Sequence, residues 1–142
     1  MLKVLKLSFL PKSPDYGLLI LRVALGFSML LLHGRVKILG FSAMAEKFPG
    51  LPGVPGNVNL GLAIFAEVVC SALLIAGLFT RFAALMLAIT MGVAFFLVHK
   101  SALVDATVNG VAIKSGELAM VYLVAYVTLL FTGAGKFSVD RE

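Results

Sequence analysis

Residues 58–98 read VNLGLAIFAEVVCSALLIAGLFTRFAALMLAITMGVAFFLV. Two apolar runs abut across Thr80-Arg81, and the only charges in the stretch are Glu67 and Arg81. Crossing a hydrocarbon core of roughly 30 Å takes about 20 apolar residues in a helix. The stretch therefore predicts two antiparallel membrane-spanning helices, 58–79 and 82–98, joined by a tight hairpin. The second is short and is expected to thin the bilayer or borrow a flanking residue. Glu67 falls inside the first. A charge at bilayer depth costs about 2.5–3.5 kcal/mol on insertion scales, so it is expected to face a bundle interior and to have a function.

Working outward, residues 16–39 and 117–132 form two further apolar segments. The chain of 142 residues is 61% hydrophobic and 13% charged, with a mean hydropathy of +1.06. Soluble domains carry about 25% charged residues, so a single integral membrane domain over 1–142 is predicted, with the lipid bilayer as its surroundings. The net charge of +5 comes from lysines and arginines that flank the apolar runs. That distribution suits headgroups, not nucleic acid. The single cysteine, Cys70, excludes an internal disulfide or a CxxC motif and reads as a packing residue. The N-terminal MLKVLKLSFLPKSPDY lacks the apolar length and cleavage site of a secretory leader. It reads as an interfacial segment with Lys3, Lys6 and Lys12 near headgroups.

The first long connection, Gly40–Asn57, contains FPGLPGVPGN, whose three Pro-Gly pairs forbid regular structure; Phe41–Phe48 before it has room for a helical turn or two. The second, Lys100–Gly116, carries Asn109-Gly110 between Ala106-Thr107-Val108 and Val111-Ala112-Ile113, a hairpin signature. Four crossings put both long connections on one membrane face, with the termini and the tight turn on the other. The predicted fold is all-α: a four-transmembrane-helix bundle with a small loop and β-hairpin cap on the face opposite the termini. Six basic residues (Lys3, Lys6, Lys12, Arg81, Lys136, Arg141) on the termini face against five (Arg35, Lys37, Lys47, Lys100, Lys114) on the cap face predict cytoplasmic termini in the cell membrane.

The polar residues of these segments are not scattered. Arg22, Gly26, Met29, His33 and Lys37 recur at steps of three and four and share one helical stripe. Ala63, Glu67, Cys70, Ser71 and Leu74 form a facing stripe of mostly small residues that permits close approach. An Arg22–Glu67 ion pair is expected between them, either as a packing device or as part of a functional path. Nearer the cap come His33, Arg35, Lys37, His99, Lys100 and Glu117. Glu117 also suits a helix N-terminus by itself, and the two histidines suit interfacial hydrogen bonding by themselves. The sharper expectation is one polar pocket under the cap, with Arg22, His33, Lys37, Glu67, His99 and Glu117 as substrate-binding candidates. Glu67 and His33 are the candidates for proton transfer. Nothing beyond the two histidines supports haem ligation, no metal site is expected, and GAGK at 133–136 is not a phosphate loop.

The segments LLILRVALGFSMLLLHGRVKILGF, AEVVCSALLIAGLFTRFAALMLAITM and GELAMVYLVAYVTLLFTGAGKFSVD, with the histidine that closes the third apolar run, resemble the DoxX family of small four-helix membrane proteins. The likeness runs from about Tyr16 to Asp140. Its most specific pieces are LR in the first segment, HG followed by a lysine, the mid-segment glutamate, GLFTR and GELA. The family usually reads GPG where this chain has Gly133-Ala134-Gly135. The resemblance implies polar positions at Arg22, His33, Lys37, Glu67, Arg81 and Glu117. It also implies an association with quinol oxidase and thiosulfate:quinone oxidoreductase systems. No flavin, haem or paired-cysteine motif is present, so a non-autonomous subunit is expected, with quinone as its cofactor or substrate. Redox-enzyme partner subunits, and a homo-oligomer, are the expected partners. Two other roles fit the same pattern: a small-solute or proton permeation protein, and a non-catalytic scaffold docking a soluble enzyme through the cap.

Overall fold

The computed structural model describes residues 11–108 and 111–140, with Leu5 and Leu7; Lys3, Lys6, Arg141 and the Asn109-Gly110 turn lie outside them. Four apolar helices dominate. Helix α1 is Pro14–Leu39, followed by a single turn, α2, at Phe41–Met44. Helix α3 is Gly56–Ala76 and α4 is Thr80–Val98. Strands β1 (Ala106–Val108) and β2 (Val111–Ile113) pair antiparallel, Ala106 opposite Ile113. Helix α5, Glu117–Thr132, completes the chain.

Helices α1, α3 and α4, at 26, 21 and 19 residues, are long and apolar enough to cross a membrane. The third segment, expected to be short at 82–98, is a 19-residue helix; α5, at 16 residues, keeps the expected bounds 117–132 and is the shorter element. The α3–α4 junction also sits earlier than expected. Helix α3 stops at Ala76 because Gly77 turns left-handed (φ +67°), and Leu78 N–H bonds back to the Leu73 carbonyl at 3.0 Å, a C-terminal motif that glycine favours. Thr80-Arg81 opens α4 instead of forming the turn. Phe79 takes the same left-handed region (φ +48°), which is uncommon for a bulky residue. It is held there by Asp140, whose carboxylate accepts from Phe79 N–H at 2.7 Å and Thr80 N–H at 2.8 Å.

The α1 start follows its sequence: Ser13 caps it, accepting from Tyr16 N–H at 3.4 Å, with Pro14 leading and Asp15 in the first turn. The core joins Met29, Cys70, Leu74, Leu87, Tyr126 and Leu129, all fully buried. Outside, Ile20, Leu32, Phe96, Val124 and Phe131 are each more than half exposed. A surface of that kind belongs in lipid. Helix α1 packs along α3, α3 on α4, and α4 most extensively on α5, whereas α1 and α5 touch only sparsely.

Candidate functional site

Glycines set how closely α1 meets α3. A Cβ on Gly26 would lie 2.5 Å from Ile75 Cγ1 and 3.0 Å from the Ser71 carbonyl oxygen; one on Gly34 would lie 2.7 Å from Val68 Cγ2 and 2.9 Å from the Glu67 carbonyl oxygen. Close approach of this sort needs small residues at the contact. It also fixes the register: Gly34 lies opposite Glu67, and Arg22 lies twelve residues away, roughly 18 Å along the helix axis. The expected Arg22–Glu67 pair is therefore not formed.

Lys37 takes that place. Its ammonium donates to both oxygens of Glu67, at 2.9 and 2.7 Å, with side-chain exposures of 18% and 3%. The reason is depth: one turn beyond Gly34, Lys37 reaches across to α3, where no side chain from Arg22's level can. Arg22 instead donates to the carbonyls of Leu74 (3.2 Å), Ile75 (2.7 Å) and Phe137. It closes the C-terminal end of α3 and fastens the tail to it, away from the Lys37–Glu67 pair.

The pair sits among wide helical turns. Met29–Gly34 in α1, Phe65–Cys70 in α3 and Val93–Val98 in α4 are π-helical, and His33, Glu67 and Ala94 lie on them. Such turns are rare and recur at functional sites. Three of them converge on one level of this bundle.

Two cavities meet at the ion pair, with Lys37, Glu67 and Ala94 in both walls. The first, about 290 Å³, lies between α3 and α4 under the Phe48–Leu51 loop, and Leu62, Ile89 and Val93 make its wall apolar. Asn59, 8% exposed, ties that loop down: it accepts from Leu51 N–H at 3.0 Å and donates to the Val54 carbonyl at 3.1 Å. Lys37 also faces the Phe48 ring, 5.9 Å from its centroid. The second cavity, about 260 Å³, lies towards α5 and is lined by His33, His99, Ser115 and Tyr122 as well.

His99 Nδ1 lies 2.8 Å from the Lys114 carbonyl. A carbonyl only accepts, so Nδ1 carries a hydrogen, and in the neutral ring Nε2 is the acceptor. Gly116 allows this fit, since a Cβ there would lie 2.7 Å from His99 Cβ. His33 stands edge-on to Tyr122, centroids 5.9 Å apart. Of the six binding candidates, His33, Lys37, Glu67 and His99 come together. Arg22 is at the other end, and Glu117 is exposed in the first turn of α5, lining neither cavity. The sequence reading missed Asn59, Phe48 and Tyr122. Asn59 is a polar side chain at the second position of an apolar run and carried a signal; the two aromatics carried none.

Residues 17–100 match the family model DoxX. The chain is 37% identical over 136 residues to an uncharacterized protein of Haemophilus influenzae, covering 94% of this chain and 95% of that one. A second uncharacterized protein of Haemophilus influenzae is 33% identical over 101 residues, covering 70% of this chain and 64% of its own length. No solved structure matches.

Proposed function

We propose that this chain, which belongs to the DoxX family of integral membrane proteins, is the membrane subunit of a quinone-linked redox system and holds a quinone head group against the Lys37–Glu67 pair. One observation carries the reading: a mostly apolar cavity of about 290 Å³ has a largely buried ammonium–carboxylate pair in its wall. Ligand sites are mostly apolar with a few polar groups that set orientation, and a quinone ring with its carbonyls has the same character. Lys37 spends two hydrogens on Glu67 and keeps a third to donate to a carbonyl oxygen. Glu67 is placed to exchange a proton with a ligand hydroxyl. The quinone supplies the electron-carrying chemistry, and the electrons come from a partner subunit.

Packing supports a pocket over a permeation path. Met29, Cys70, Leu74, Leu87, Tyr126 and Leu129 fill the bundle on the termini side of Glu67 without solvent exposure. In this reading α5 also crosses the bilayer, and the termini face the cytoplasm.

Native mass spectrometry of the protein gently extracted from its own membranes tests the proposal. Bound quinone together with an oxidoreductase partner, both retained in Arg22→Lys and the quinone lost in Glu67→Gln, is the expected result. Lipid alone, with no partner, would overturn it and favour permeation.

A further inference from the structure

The sparse contact between α1 and α5 leaves a groove of about 320 Å³ lined by Leu21, Ala24, Leu25, Ser28, Leu118 and Tyr122. Leu118 and Tyr122 are also walls of the cavity that holds His33 and His99, so the two spaces adjoin along α5. From Leu21 to His33 they span roughly 18 Å along α1. The lower part is apolar. The upper end offers the His99 Nε2 lone pair and the remaining Lys37 hydrogen, and the Ser28–Tyr122 hydroxyl bond lies between. Two hydroxyls at apolar depth are costly unless paired, and here they pair across the seam.

We propose that this seam is a second binding site, for a single-chain membrane amphiphile whose hydrogen-bonding head enters the His33/His99 cavity while its chain lies along Leu21–Ser28. The polarity gradient selects the occupant. A head with one hydroxyl donor and one carbonyl acceptor answers His99 Nε2 and Lys37, and a single chain fits a groove one helix gap wide. Two-chain phosphatidylcholine has no hydroxyl donor, and its second chain has no place in the groove. The site stands on the opposite side of the Lys37–Glu67 pair from the Phe48–Leu51 cavity, and it does not depend on that cavity holding quinone. Glu67 leaves Lys37 one hydrogen, so only one of the two ligands accepts it at a time.

The probe is a monoacylglycerol with a photoactivatable diazirine in its chain, added to the full chain in nanodiscs of two-chain phosphatidylcholine. Adducts are expected to concentrate on Leu21–Ser28 and Leu118–Tyr122. Ala24→Trp, which fills the groove from its exposed side, is expected to cut them by about tenfold without lowering thermal stability. His99→Ala is expected to reduce them as well, through the head. Adducts spread evenly over lipid-facing residues such as Leu32 and Phe131, or groove adducts that survive Ala24→Trp, would overturn the proposal. Quinone binding measured on the same Ala24→Trp protein is expected to be unchanged, so that failure of the seam and failure of the quinone reading are told apart.

Discussion

Arg22 and Lys37 are both cations on the inward stripe of α1, and burial treats them differently. Arg22, 2% exposed, satisfies carbonyls from two separate segments with a planar fork that lysine lacks. Arg22→Lys is expected to lower stability by about 2–3 kcal/mol, since buried carbonyls lose charged donors, and to leave ligand affinity unchanged. Unfolding in detergent, paired with a binding titration, measures both. Lys37→Met strands the Glu67 carboxylate and is expected to cost about 3–5 kcal/mol, whereas Lys37→Met with Glu67→Leu recovers most of that loss. The same unfolding assay reads this; a double variant as unstable as the single would contradict the pairing. That Arg22 and Glu67 would be buried was legible in the sequence from the price of charge in lipid. Which cation met Glu67 was not, because partner choice turns on helix register. Two glycines set that register, and their contacts lie across the gap in α3.

At the scale of elements, the α1–α3 contact decides the site. Gly34→Ala places a methyl 2.9 Å from the backbone oxygen of Glu67, which cannot rotate away. The expected cost is about 1–3 kcal/mol of overpacking, with weakened ligand binding because Lys37 is carried off with α1; differential scanning calorimetry and a titration test it. Helix positions were readable from apolar runs, and the Pro-Gly run correctly marked an irregular connection. The π-helical turns were not readable. Met29–Gly34, Phe65–Cys70 and Val93–Val98, reading MLLLHG, FAEVVC and VAFFLV, share no composition that sets them apart from the flanking helix. Nor does local sequence reveal that Asn59 would reach into the loop before it and fold Phe48–Leu51 over a cavity.

The whole molecule is tied at its termini end by charge. Lys136 N–H donates to Asp15 at 3.1 Å, Arg81 Nε donates to the Leu130 carbonyl at 3.0 Å, and Asp140 receives the start of α4. Burial pushes the Asp140 carboxyl up, but the amide hydrogens of Thr80 and Phe79 and the nearby Arg22 charge outweigh it and hold the group below its ordinary value. Such a group stabilises the fold above its unfolded pKa of about 3.9, and the contribution fades as pH falls through the lower folded value. Asp105 behaves likewise through Ser115 N–H and Lys114. Asp140→Asn is expected to flatten the acid limb of the stability profile below about pH 4, as followed by thermal melts across pH. LR and GLFTR were visible in the sequence as specific pieces of the resemblance; that they and the Ser138–Asp140 tail assemble into this one knot required the fold.

The most direct test is the affinity of a short-chain benzoquinone for the reconstituted protein, compared across Lys37→Met, Glu67→Gln and Arg22→Lys. Loss of about tenfold or more, the weight of a hydrogen bond to a charged group, in the first two and none in the third is the predicted result. Equal affinity in all four proteins, or a loss confined to Arg22→Lys, would contradict the assignment of the Lys37–Glu67 pair as the ligand-binding centre.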